Sequence, residues 1–402
     1  MSLIKKGLLY FREHGIISTF NKTIKKCLRE LKNLPLRINE CFIAQNRIQE
    51  LHEKVKNKTV YLVIPCIDWS LPLFQRPHQI AVELSKRVDA FVFFLPDQYQ
   101  YDSFCFDKMI LENLYLYSIH AVKYINEILS ECREVIVFMT WTRHYGILAG
   151  IRYDKLIYDY VDEMNLFYYY NEQMENTHRT LLRQSNLTVV TANKLYDKAK
   201  AYSKKVILCE NACDYQFFFK GRGVPVNPLI SSAAGKYALV LGYYGCLAYW
   251  FDYETILWSA RRRPDWLFVL VGYDFDRTLN RVLSQKLSNI LYISARPYHE
   301  LPSFVNGFDI ALVPFVLNEV TEATSPIKIF EYMAAGKPIL TSDLPECRKY
   351  RSVRRYIDCD DFLLKAESLK EKRNDPDYIA LLEQDAKENT WEVRVNRILQ
   401  HC

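Results

Sequence analysis

The stretch TSPIKIFEYMAAGKPIL, residues 324–340, reads as a punctuated helix running straight into a strand. Ser325 is a good N-cap residue, and Pro326 suits the first helical position, where its missing N–H is no loss. Gly336 fits the left-handed position just past the helix, and Pro338 stops any continuation. A β run, Ile339–Thr341, follows at once. Within the helix Ile327, Phe330 and Ala334 share one face, which predicts the core side. Lys328, Glu331 and Ala335 share another with the same spacing.

That second face carries chemistry. A helix N-terminus offers unpaired N–H groups and the positive end of the dipole, which suits a phosphate. Lys328 adds a full positive charge in the first turn. Glu331 lies one turn behind, where the ribose of a nucleoside diphosphate would sit and offer two vicinal hydroxyls to a carboxylate. The plain alternative is a surface ion pair between Lys328 and Glu331. The flanking Ser-Pro and Gly-x-Pro signals favour the phosphate site.

Outward from this helix, apolar runs alternate with helical patterns. The first series is Val60–Ile67, Ala90–Leu95, Leu114–Ile119, Val135–Met139, Leu156–Val161, Leu187–Thr191 and Val206–Leu208. A turn-rich stretch, Lys220–Lys236, reads as a linker. The second series is Ala238–Leu241, Leu267–Val271, Ile290–Ile293, Ile310–Pro314 and Ile339–Thr341. Near-continuous apolar strands between helices predict parallel sheets covered on both faces, hence two Rossmann-like α/β domains. Glycine is scarce, 12 in 402 residues, so Gly242 and Gly245 after the first strand of the second series, and Gly272 after the next, mark a ligand crevice at the strand ends.

Composition closes off other classes. Apolar residues make up 50% and charged residues 25% of the chain, the ordinary globular mix. No run is long and apolar enough to span a membrane. The first 15 residues hold charges and no continuous apolar run, so no secretory signal is read. Eleven cysteines without a C-x-x-C pair point to reduced thiols and a cytoplasmic location, with no metal site expected. Residues 1–56 hold 12 Lys/Arg against 5 Asp/Glu, a local charge of +7 in a chain of +6. They read as a basic amphipathic helix suited to an anionic membrane surface, or to packing on the main body. The rest of the chain has no basic stripe, so nucleic acid is not an expected partner. Asp274–Asp276 and Asp358–Asp360 spell D-x-D, a short triplet common by chance, and read as exposed loops. G-x-G-x-x-G and G-x-S-x-G are both absent.

SPIKIFEYMAAGKPIL resembles the donor-binding helix of GT-B glycosyltransferases, close to the large retaining family 4. LFQRPHQIAVEL (Leu73–Leu84) and YDYVDEMNLF (Tyr158–Phe167) are similar to segments of bacterial surface-polysaccharide transferases, including the teichuronic acid biosynthesis group. VILCENACDYQFF, LGYYGCLAYWFDYETI and Asn289–Pro314 follow in family order, and TWEVRVNRIL resembles the final helix that crosses back to the first domain. The resemblance implies a GT-B fold: a helical extension (1–57), an acceptor domain (58–220), a donor domain (236–385) and a crossing helix (386–402). It implies a glycosyltransferase moving a sugar from a nucleotide-diphosphate sugar to a glycan or lipid-linked acceptor in cell-surface polysaccharide assembly, without metal or cofactor, cytoplasmic and peripheral to the inner membrane face.

The donor side would comprise Gly242, Tyr244, Gly245, Glu322, Thr324, Ser325, Lys328 and Glu331. Many members carry a glutamate where this chain has Ala323, and Glu322, one residue earlier, is the candidate to stand in. The hinge glycine is Ala212, and Ser294 replaces another glycine. For the base that deprotonates the acceptor, Asp162 at the end of Leu156–Val161 is preferred, with His144 second and Asp159 third. Arg76 and Trp69, near the first strand, are acceptor-side candidates. Two alternatives stay open: a nucleotide-sugar epimerase, and a non-catalytic partner subunit of this shape.

Overall fold

The computed structural model describes residues 44–71, 74–97, 106–166 and 170–402. The first sheet has eight strands: β1 (Thr59–Ile64), β2 (Ala90–Phe94), β3 (Asp107–Leu111), β4 (Leu114–Tyr117), β5 (Glu134–Met139), β6 (Lys155–Tyr160), β7 (Leu187–Val190) and β8 (Val206–Leu208). Their order is β3-β4-β2-β1-β5-β6-β7-β8, parallel throughout except that β3 runs antiparallel to β4. The second sheet holds β9 (Leu239–Tyr244), β10 (Trp266–Gly272), β11 (Ile290–Ser294), β12 (Ile310–Val313), β13 (Ile339–Ser342) and β14 (Val353–Tyr356). It is wholly parallel, in the order β11-β10-β9-β12-β13-β14.

Both sheets are covered on two faces, which is why their strands read as unbroken apolar runs. Along β1, Val60, Leu62 and Ile64 enter one core while Tyr61 and Val63 enter the other. In each sheet the strand order reverses once, between β1 and β5 and between β9 and β12. Ligands of open α/β sheets bind at such switch points, beyond the strands' carboxyl ends.

The chain passes between domains twice. Cys213 N–H donates to Asn389 O at 3.1 Å and Trp391 N–H to Cys213 O at 3.3 Å, so the two passages run side by side. The last helix, Trp391–His401, packs Trp391, Val395 and Ile398 against the first sheet.

Several expectations need correction. The stretch read as a linker contains a helix, Pro228–Ala234, started by an Asn227 cap with proline at its first position and holding Ile230 in the core. The edge strands β3 and β14 escaped the sequence reading because each is only partly buried and carries charged residues among the apolar ones. Residues 1–43 of the basic extension lie outside the described residues. Residues 44–55 form a helix whose Ile48, Leu51 and Val55 are buried in the first domain, and Arg47 Nε donates to Asp107 at 2.9 Å. That part of the extension is built into the body.

Candidate active site

The crevice at the β9/β12 switch point is assembled by close backbone approach. Gly245, just past β9, has φ +144°, a conformation open to glycine. A Cβ there would lie 2.6 Å from Tyr243 Oη and 2.7 Å from Lys328 Cε. Gly272 is pressed onto the same loop, since its Cβ would fall 1.7 Å from the Gly245 oxygen. These glycines let the Lys328 side chain lie across the loop, so the first turn of the helix Ile327–Ala334 and the loop after β9 meet.

Lys328 is partly buried and makes no ion pair or hydrogen bond among the described residues. Loss of water lowers its pKa, with the Glu331 charge acting the other way. Glu331 is 2% exposed and accepts a hydrogen bond from Tyr244 Oη. Burial pushes its pKa up to about 7, against the pull of Lys328 and the hydroxyls of Tyr244 and Tyr298. The ion pair that the spacing of Lys328 and Glu331 would allow is therefore not made. A cation with no anion at a helix N-terminus is a site short of its negative ligand. Tyr298 ties this crevice to the first domain: its hydroxyl accepts from Gln79 Nε2 at 3.2 Å, and its ring packs on Phe74 and Phe217.

Other donor-side candidates stand elsewhere. Gly242 lies inside β9, where a Cβ would meet the Phe308 ring at 2.1 Å, so its smallness serves core packing. Tyr244 is buried and supports Glu331; its N–H donates to Tyr332 Oη at 3.1 Å. Ser325 does not cap the helix, which starts one residue late, with Pro326 in extended backbone at the cap position. Its hydroxyl accepts from the Asn211 N–H at 3.2 Å and its carbonyl from Asn211 Nδ2 at 2.7 Å, linking the domains. Thr324 Oγ1 donates to Val320 O at 2.8 Å. Glu322 is exposed and pairs with Lys194 of the first domain at 3.1 Å, while Ala323 is buried against that domain's core.

The β1/β5 crevice gathers residues from three strand ends: Asp97 after β2, Arg143 and His144 after β5, and Asp162 after β6. His144 Nε2 lies 2.6 Å from Asp97 Oδ1, and Arg143 Nη1 donates to Asp97 Oδ2 at 2.8 Å. Asp97 was not singled out from sequence, although Pro96-Asp97 directly after an apolar strand was the available signal. Asp162, just past β6, is half-buried and makes no hydrogen bond or ion pair among the described residues. Burial, then the Asp159 charge, pushes its pKa up to about 6.

Asp159 is not available as a base. It is 1% exposed and accepts three hydrogen bonds from Arg76, at 2.9, 2.9 and 3.1 Å. Arg76 is equally buried and also donates to Glu210 O at 3.1 Å, at the passage between domains. Arg76 is thus a structural ion pair within the domain and at its hinge, not an acceptor ligand. Trp69 packs edge-on against Phe74, His78 and Phe94 and buttresses the helix Arg76–Ser85.

The first D-x-D triplet bonds to backbone, and the second lies at a helix start and not in the loop expected, with Asp360 in the first turn. Asp276 accepts from the N–H groups of Tyr249 and Thr278, Asp274 from that of Leu279, and Asp358 caps the helix Cys359–Lys372. Among the described residues no group of three His, Cys, Asp or Glu side chains is placed to hold a metal ion.

Two Rossmann-like domains, each with its crevice at a switch point and joined by a double passage, define the GT-B class. Residues 253–366 match the family model "Glycosyl transferases group 1". The chain is 27% identical over 212 residues to TuaH of Bacillus subtilis (strain 168), which carries the name of a teichuronic acid biosynthesis glycosyltransferase. That match covers 51% of this chain and 52% of TuaH, so it spans about half the length of that relative. Among solved structures, sucrose-phosphate synthase from Thermosynechococcus elongatus superposes with a TM-score of 0.62 at 12% identity, over 85% of this chain and 98% of that one. Anabaena HepE in complex with UDP-glucose gives 0.58 at 12% identity, over 85% and 100%. Both share the fold.

Proposed function

We propose that this protein is a glycosyltransferase that moves a sugar from a nucleotide-diphosphate sugar to a glycan or lipid-linked acceptor in cell-surface polysaccharide assembly. The observation that carries this is Lys328, without a partner among the described residues, laid across the Gly245 loop at a helix N-terminus, with Glu331 one turn behind it. As the bond from the sugar to the diphosphate breaks, charge grows on the leaving oxygens. Lys328 and the first-turn N–H groups supply fixed positive charge there without a metal. Glu331 is held for the ribose hydroxyls. Asp162, with its raised pKa, takes the proton of the acceptor hydroxyl, and His144, held by Asp97, is the second candidate.

Support from relatives is consistent. The matched family segment, residues 253–366, includes Lys328 and Glu331, and HepE is a fold neighbour whose structure holds UDP-glucose. The test is transfer of labelled sugar from UDP-, GDP- and TDP-sugars to a lipid extract of a polysaccharide-producing cell. Label entering lipid or polymer with wild-type protein, and none with Lys328→Ala, supports the reading; no transfer from any donor overturns it. We further propose a cytoplasmic enzyme peripheral to the inner membrane face, on the strength of the +6 charge (9 Lys/Arg, 3 Glu) in residues 1–43, ahead of the helix built into the body. Co-sedimentation with anionic vesicles, lost in high salt, is the expected result.

A further inference from the structure

A second concavity lies in the first domain, away from both switch points. It occupies about 380 Å³ and is walled by Tyr160, Glu163, Tyr170, His178, Lys198 and Tyr202. The helices Glu172–Gln184 and Asn193–Lys200 supply His178 and Lys198. The volume falls within the range of about 300–1,000 Å³ typical of small-molecule sites.

Its lining has a definite character. His178 is 7% exposed and is fixed through Nδ1 by Tyr158 Oη at 2.7 Å. Its Nε2 has no partner among the described residues, and burial lowers its pKa to about 4, so the ring is neutral. The charges are matched: Lys198 Nζ donates to Glu163 at 2.5 Å, and Arg179 Nε to Glu175 at 2.6 Å. Tyr170 Oη also donates to Glu175, at 2.9 Å. Arg179 and Arg183 both lie over the Tyr202 ring, at 5.6 and 5.5 Å, and hold it as a wall. An anion or cation entering here would meet no unmatched opposite charge. A neutral ring bearing hydroxyls would meet aromatic faces, carboxylate acceptors and an open imidazole nitrogen.

We infer that this cavity is a subsite for a neutral pyranose ring. Glu163, in its wall, directly follows Asp162 in the chain. Its assignment to a sugar of the acceptor glycan rests on the glycosyl-transfer reading.

The test is saturation-transfer NMR on the full chain with glucose, galactose and N-acetylglucosamine as probes, and glucuronate as the charged control. Two variants act on the cavity without removing a core group: Ala201→Trp, at an exposed wall position, fills it, and Tyr202→Ala removes a wall. The expected result is a signal from at least one neutral sugar, falling at least five-fold in both variants, with unfolding temperature and UDP binding unchanged. No signal in the wild type, an equal signal in both variants, or stronger binding of glucuronate would overturn the inference. Sugar binding at this cavity in a protein that binds no nucleotide would uphold the subsite and sink the glycosyl-transfer reading instead.

Discussion

The two switch-point crevices of this molecule are built alike and charged differently. At β9/β12 a lysine has no partner among the described residues, and burial raises the pKa of a glutamate to about 7. At β1/β5 most charge is already matched: Arg76 with Asp159, and Asp97 with both His144 and Arg143. Asp162 is the exception, a carboxylate without a partner among the described residues. The first arrangement leaves work for an anionic ligand. The second spends most of its ions on holding the domain and its hinge.

This contrast can be broken by substitution. Removing Arg76 leaves Asp159 charged and buried, so Arg76→Ala should cost about 3–5 kcal/mol of folding stability in urea titrations. A loss under about 1 kcal/mol would show that the pair is not structural. Lys328→Ala should do the opposite: leave stability unchanged or improved, since a desolvated cation is gone, yet lower turnover by about 10²–10³-fold. Destabilisation by this change would mean that the lysine has a structural partner after all. Asp162→Asn should lower kcat by about 100-fold and abolish an acid limb near pH 6 in the wild-type rate profile. Persistence of that limb in the variant would transfer the base role to His144.

The smallest effect concerns Glu331. Its pKa is raised from 4.5 to about 7 in the fold, so the native state holds more protons than the unfolded chain between these values. Stability of the ligand-free protein should therefore be greatest below about pH 4.5 as far as this group is concerned, and fall as pH rises through 7. Glu331→Gln should flatten that dependence, which thermal melts across this pH range would reveal.

What was legible in the sequence was local. The caps and faces of residues 324–340 depend on neighbours within a few positions, and the helix, its glycine stop and the following strand all appear. The apolar strands were legible because both faces of each central strand are buried. The pairing of Arg76 with Asp159 spans 83 residues and depends on which helix packs beside β6, so neither residue alone announces it. Ser325 looked like a cap because serine before proline is a start signal; tertiary contact with Asn211 claimed its hydroxyl instead. Asp97 is not announced by its neighbours either, its role being set by where β5 delivers His144.

The most direct measurement is a thermal-shift titration with UDP, GDP, ADP, CMP and TDP on the wild type, Lys328→Ala and Glu331→Ala. At 100 times the dissociation constant a bound nucleotide should stabilise the wild type by about 2.7 kcal/mol. The account predicts a shift with one nucleotide, lost in both variants. A wild type that responds to none, or a shift that survives both substitutions, would contradict it.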